Sequence, residues 1–487
     1  MNHSRNKVIS AALLAAALSL GALAQLHNAP HSAHGAATSG AANAAHPSSQ
    51  LGTDTPTVQT SAPELRVDQT LAMRVPYTPS QTLTDDYRCF LLDPGLNEDR
   101  DLEGFEVIPG NPETVHHVIV NQITAEQAAE ARVKDGADGR PGWSCFGGTG
   151  LRAGSLGAPA AGALSAARPT PDLQALLPTL QAAGVDTGKL LRASLGAGGD
   201  LMKTLAAYGQ AGGDTAALLA ALGDAGLFGG SQNSSQDALG NAIGNVFGIG
   251  SWVPGAQATV FPAGTGRRLA RGNLLVMQVH YNTLAGRDPD VTRMHLQYAP
   301  RGAALTPLRG LSLVAPVEIP CPAGAQGDLC SRDAVIARNV KEDGPRATRL
   351  VQGVMALCGK TLKDYAGQNG AAARSSCDQR VRQDAQAVGV TFHMHTLGMS
   401  GVVTLNPGTP REQVLLDIPD WDFHWQGNYW YEEPISLKKG DVLRVECTWN
   451  NTRSASPRYV VWGEGTQDEM CLAGLTVMDA PPHHAQP

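Results

Sequence analysis

The sequence predicts an all-β core in two strand-rich blocks, interrupted by a small helical insertion. Three observations carry this. Short apolar runs rich in Val and Ile, such as residues 114–120 and 274–281, recur between Gly, Pro and Asn punctuation. Gly and Pro are abundant, at 55 and 31 residues, while charged residues make up 17%, a balance that suits strands and turns with loose linkers. Residues 150–245 are of another kind, rich in Ala, Leu and Gly and without cysteine or histidine.

In chain order, residues 1–24 read as a secretory signal peptide. Arg5 and Lys7 open it, residues 8–20 are apolar, and Ala22-Leu23-Ala24 forms a small-x-small cleavage site. The expected location is therefore secreted or periplasmic. No later stretch reaches the ~20 apolar residues needed to cross a bilayer, so no membrane span is expected after cleavage. Residues 25–64 form a polar linker, carrying His27, His31, His34 and His46, with too little apolar surface to fold alone.

Residues 65–310 make the first strand-rich block, with strands expected at residues 88–92, 105–108, 113–120 and 271–281. Within it, residues 150–245 contain four 14-residue quasi-repeats starting at Asp172, Asp186, Asp200 and Asp214. Each ends near a glycine, Gly184, Gly198, Gly212 or Gly226. Asp favours helix starts and Gly helix stops, so four very short helices are expected. Residues 311–480 form the second block, with the short runs and turns of a β-sandwich, and residues 481–487 a Pro-rich tail.

A net charge of −7 leaves no basic footprint, so nucleic acid is not an expected partner. Eight cysteines in an exported chain imply bridges. Spacing alone does not fix their connectivity; nearest-neighbour pairing, 89–145, 321–330, 358–377 and 447–471, is the expectation.

The candidate chemistry lies in histidines. His393 and His395 sit two apart at the end of a predicted strand, where residues i and i+2 face one side. His116 and His117 are adjacent in one predicted strand, and His280 lies in another. In a regular strand His116 and His117 would point apart, so sharing one metal requires a twist or bulge, or the use of different ring nitrogens. Gln278 shares the face of His280 and is a candidate cofactor-binding residue. Met470 follows a Gly-rich turn and precedes Cys471. Imidazoles suit Zn, Cu or Fe; two imidazoles with a thioether favour Cu(I).

Thr-Val-His-His-Val, Met-Gln-Val-His-Tyr, His-Met-His-Thr-Leu-Gly and Asp-Glu-Met-Cys occur in that order. The set resembles the copper type II, ascorbate-dependent monooxygenases, over roughly residues 80–148 and 250–478. The resemblance implies two antiparallel β-sandwich (jelly-roll-like) domains and two coppers facing a solvent-filled cleft. It implies that His116, His117 and His280 hold an electron-transfer copper. It implies that His393, His395 and Met470 form the catalytic set, holding the copper that meets O₂. Ascorbate would be the reductant, and a small-molecule substrate C–H would become an alcohol. The pairs 89–145 and 447–471 resemble family bridges.

The sequence also departs from the family. Peptide-amidating members bind a substrate carboxylate with Arg, Asn and Tyr where this chain has Thr391, Leu472 and Gly474. A charged peptide terminus is therefore not the expected substrate. The aromatic run Trp421, Phe423, Trp425, Tyr429, Trp430 and Tyr431 is expected either in the core or lining an apolar pocket. Two other classes use the same ligands: a protein that stores or ferries copper, and a zinc hydrolase.

Overall fold

In the computed structural model, residues 56–58, 64–151, 180–181, 184–197, 201–213, 215, 218 and 248–479 are described. The signal peptide, nearly all of the linker, much of the insertion and the tail lie outside them.

The first block supplies β1 (Gln69–Ala72), β2 (Asp85–Leu92), β3 (Arg100–Ile108), β4 (Val115–Ile123), β5 (Trp143–Ser144) and β6 (Gly250–Trp252). It continues with β7 (Thr259–Val260), β8 (Thr265–Leu269), β9 (Leu274–Asn282), β10 (Arg293–Tyr298) and β11 (Thr306–Pro307). One sheet runs β1-β10-β3-β8-β11, with β7 on β3; the other runs β5-β2-β9-β4-β6. Alternate side chains of both sheets, among them Phe90, Leu102, Phe105, Val118, Met277 and Met294, meet in one buried core. This is the inward-facing periodicity of a sandwich.

The second block supplies β12 (Arg309–Val314), β13 (Glu318–Ile319), β14 (Ala373–Arg380), β15 (Ala385–His393) and β16 (Gly398–Leu405). After these come β17 (Gln413–Ile418), β18 (Asn428–Leu437), β19 (Val442–Trp449), β20 (Val460–Val461) and β21 (Leu472–Asp479). Sheets β12-β21-β15-β18 and β14-β19-β16-β17 enclose a second core that includes Val390, Phe392, Val403, Val445 and Leu475. The all-β sandwich core with a small helical insertion is thus the observed architecture.

The sandwiches touch through the outer face of the β15 sheet. A register shift between Ala387 and Gly389 turns Val388 out of its own core. Val388 and Trp430 instead join the first core, with Met478 packed against it. Residues 56–58 also run along this sheet. Thr57 accepts the N–H of Glu432 at 3.0 Å, and Val58 bridges Tyr431 on the free edge of β18. The end of the linker is therefore paired, where the sequence reading expected no order.

Two of the four quasi-repeats are described as helices, α2 (Thr187–Ala197) and α3 (Leu201–Gln210); α1 (Ala125–Lys134) precedes them. Asp186 accepts the N–H of Lys189 at the start of α2. Gly184 and Gly212 take the positive φ that ends such turns, at 78° and 73°. The other two repeats fall mainly outside the described residues.

Three helices were not expected. The first is α1, in which Thr124 and Gln127 form a capping box. The others are α4 (Arg332–Asp343) and α5 (Pro345–Leu357), inside a block read as strands. On α5, Leu350, Val351, Val354 and Leu357 enter the second core at helical spacing. All four nearest-neighbour disulfides are present: Cys89–Cys145, Cys321–Cys330, Cys358–Cys377 and Cys447–Cys471.

Candidate metal centre

The first ligand set is built by a bulge. Val115 pairs with Tyr281 and His117 with His280, so His116 is the extra residue in β4. Val115 and Val118 both enter the first core, which leaves His116 and His117 together opposite His280. The adjacent histidines therefore need no separate sites. One nitrogen from each of the three lies within 4.8 Å of the others. His116 Nδ1 is 3.3 Å from His117 Nδ1, which is 3.4 Å from His280 Nδ1.

The protonation pattern follows from the partners. His280 Nε2 lies 2.8 Å from Asp85 Oδ1, so its proton sits there and its Nδ1 lone pair faces the other two rings. Tyr87 stacks on the His280 ring, with centroids 4.1 Å apart and an angle of 11°. Burial, reinforced by the neighbouring imidazoles, holds His116 and His117 well below the usual histidine range. The three ring nitrogens converge closely enough for one cation to be held by all of them. The donor set fits a transition metal.

The second set grows from the end of β15. Phe392 and Met394 enter the second core, which leaves His393 and His395 on the opposite side with ring centroids 5.2 Å apart. His393 Nδ1 donates to Gln426 Oε1 at 2.7 Å, and His395 Nδ1 to the carbonyl of Asp468 at 2.9 Å. Both partners leave Nε2 as the free lone pair. His395 Nε2 is buried with no hydrogen-bond partner, as a metal ligand would be. Burial lowers His393 and brings His395 down to about 3, so both rings are neutral at physiological pH. Met470 is buried and follows Glu469, whose carboxylate accepts the N–H of His395. It precedes Leu472, the residue paired with His393, and the Cys447–Cys471 bridge pins it.

The structure departs from the expected solvent-filled cleft. The rings of His116 and His395 are 5.3 Å apart, so the two sets meet. Phe423 fills the remaining space, 5.3 Å from His116 and 6.4 Å from His395. Gly255, at φ +86°, lets the first sandwich approach the Phe423 loop. A Cβ there would lie 2.2 Å from the carbonyl of His424. The closure follows from Trp430 and Val388 entering the first core and drawing the blocks together.

Gln278, the cofactor-binding candidate, has its amide nitrogen engaged within the fold. Its amide nitrogen donates to the carbonyls of Cys145 at 2.7 Å and Gly148 at 3.1 Å. It braces the loop beside the Cys89–Cys145 bridge. Of the aromatic run, Trp421 and Tyr431 enter the second core and Trp430 the first, while Trp425 is 72% exposed. Phe423 packs against the His116 and His395 rings, and the Trp421 indole N–H donates to the His395 carbonyl at 3.0 Å. Thr391 pairs with Gly474, and His393 with Leu472, so the three departing positions do lie together beside the second set. Asp85 and Gln426, which orient the histidines, went unmarked in the sequence; Glu469 was read only as part of the Asp-Glu-Met-Cys motif, without a role of its own. Nothing in their local pattern separates them from ordinary polar residues.

A two-sandwich β protein that gathers His116, His117 and His280 in this way has a group of side chains that could hold a metal ion. Residues 363–478 match the family model for the copper type II ascorbate-dependent monooxygenase, C-terminal domain. Over that region the chain is similar to the copper type II, ascorbate-dependent monooxygenases. A search of curated proteins gives no match. Among the described residues no helix is long and apolar enough to cross a membrane. Four disulfides fit an oxidising compartment.

Proposed function

We propose that the chain is an exported copper-dependent monooxygenase that hydroxylates a small, uncharged substrate at a C–H bond. In this reading His116, His117 and His280 hold an electron-transfer copper, and His393, His395 and Met470 a copper that meets O₂. The two sandwiches, residues 65–310 and 311–480, are the two working domains. The observation that carries the reading is the approach of two histidine sets whose rings meet at His116 and His395. The family of residues 363–478 supports the metal and the reductant class.

Copper, when bound, would supply one-electron redox chemistry and O₂ activation; two electrons and two protons, from ascorbate or a similar donor and solvent, accompany conversion of C–H and O₂ to C–OH and water. The protein's own residues do the rest. Asp85 and Gln426 fix which ring nitrogen of His280 and His393 carries a proton. Phe423 packs against the His116 and His395 rings, where the two sets meet. Thr391, Leu472 and Gly474 offer no charge to a substrate beside His393, which supports an uncharged, apolar or aromatic compound. Substrate entry requires the Phe423 loop to move.

The burial of four of the five histidines favours one second reading, a copper-binding or electron-transfer protein without turnover. Ascorbate-dependent O₂ uptake by the copper-loaded protein separates the two. The expected result is about two coppers per chain and O₂ uptake that rises with a productive substrate. His393→Ala should lose one copper and all hydroxylation, while His280→Ala should keep the second site filled and slow electron delivery. Full copper loading with no O₂ uptake across a substrate screen would favour the binding protein.

A further inference from the structure

One carboxylate oxygen joins the two histidine sets. Asp85 Oδ1, at the start of β2, takes the Nε2 proton of His280 at 2.8 Å. The same oxygen accepts the backbone N–H of Thr466 at 2.9 Å and its hydroxyl at 2.6 Å. Thr466 belongs to the second sandwich, in the turn that leads to Met470. That turn is stiff. Asp468 N–H donates to the Gly465 carbonyl at 2.9 Å, Gly463 N–H to the Glu469 carbonyl at 3.1 Å, and Asn339 to the Asp468 carboxylate at 3.0 Å. Two residues beyond Thr466, the Asp468 carbonyl takes the Nδ1 proton of His395. A continuous path therefore runs from His280 through Asp85, Thr466 and the backbone of Gln467 and Asp468 to His395.

We propose that Asp85 and Thr466 form a latch that sets the two metal-ligand sets in register, with both acting as positioning residues. Asp85 orients His280 and holds the turn that carries the opposing ligands. The Thr466 hydroxyl is the second sandwich's side-chain grip on that carboxylate. A charge-assisted bond from a hydroxyl is among the stronger single hydrogen bonds a protein makes. Its loss loosens the closed arrangement without removing a ligand. The proposal rests on the two sets working together as a redox pair.

The test compares Thr466→Val with Thr466→Ser. Thr466 is half-buried in a turn, and Val keeps its shape, so both variants should fold. In the metal-free protein, amide exchange of residues 463–470 and 113–118 should quicken by about tenfold in Thr466→Val and stay near the parent rate in Thr466→Ser. In the copper-loaded protein, Thr466→Val should bind as much copper as the parent. Its kcat should fall by about tenfold at unchanged substrate KM, with Ser restoring it. Parent-like exchange and kcat in Thr466→Val, or equal damage from Ser, would overturn the latch. If exchange responds as expected while no form of the protein turns over, the latch stands and the monooxygenase reading falls.

Discussion

The carboxylate of Glu469 holds the backbone N–H of His395 at 2.8 Å. It also takes the N–H of Leu397 at 2.7 Å, and that of Met470 and the Trp449 indole at 3.2 Å each. One fully buried side chain thus ties the second histidine pair to the residue that would supply the thioether. Burial pushes its carboxyl up to about 7, with the four donors pulling the other way. Glu469→Gln keeps the shape but gives up one acceptor oxygen, turning an amide N–H₂ toward backbone N–H groups. The variant should be destabilised by about 2–4 kcal/mol. Thermal unfolding of the metal-free protein measures this, and a parent-like midpoint would remove Glu469 from the architecture of the site.

Gln278 gives the opposite expectation. Its amide nitrogen braces two backbone carbonyls near the Cys89–Cys145 bridge. Gln278→Leu should cost about 2–3 kcal/mol of stability through the two stranded carbonyls. Copper stoichiometry should stay at the parent value. Metal loss at unchanged stability would restore the original sequence-based assignment.

Metal binding should itself stabilise the fold. The Nδ1 atoms of His116, His117 and His280 converge within 3.4 Å between neighbours, and an ion relieves that crowding. Copper at about a hundredfold excess over its Kd should add about 2.7 kcal/mol per site. A chelator should reverse the gain. His280→Ala should abolish the part due to the first set, as scanning calorimetry at fixed metal concentration would reveal.

Acid stability should show the Asp138–Arg88 pair. Hydrogen bonds from the buried Arg88 guanidinium hold the Asp138 carboxyl at about 2, against an ordinary 3.8. A depressed carboxyl contributes stability that is complete above the unfolded value and fades as pH falls through the folded one. The difference between the parent and Asp138→Asn should therefore be constant near neutrality and shrink between about pH 4 and 2. Asp138 is half-exposed, so screening limits the effect to on the order of 1 kcal/mol. Urea titrations at several pH values would give the profile, and a difference that grows on acidification contradicts it.

The sequence revealed the strands wherever alternation or a continuous Val/Ile run was long. It also revealed the histidines that gather, since their motifs sit inside those strands. The bulge at His116 was foreseeable only as a requirement: adjacency states the problem, and the register with β9 supplies the solution. The helices α1, α4 and α5 carried local signals, the Thr124/Gln127 box and the Leu350–Leu357 spacing, that neighbouring strand patterns obscured. Asp85 and Gln426 could not be seen at all. Their importance comes from partners 33 to 381 residues away, brought close by pairing that local chemistry does not encode. The closed approach of His116 and His395 is likewise a property of Trp430 and Val388 crossing into another core.

The short stretch Pro56–Val58 lies along the outermost strand of the β15 sheet and occupies hydrogen-bonding groups that would otherwise face water. Exposed strand borders recruit other chains. A protein shortened to begin after Val58 should keep its histidine geometry yet become prone to dimers and larger aggregates through β18. Light scattering would detect that, and it makes the choice of starting residue a practical matter for anyone preparing crystals.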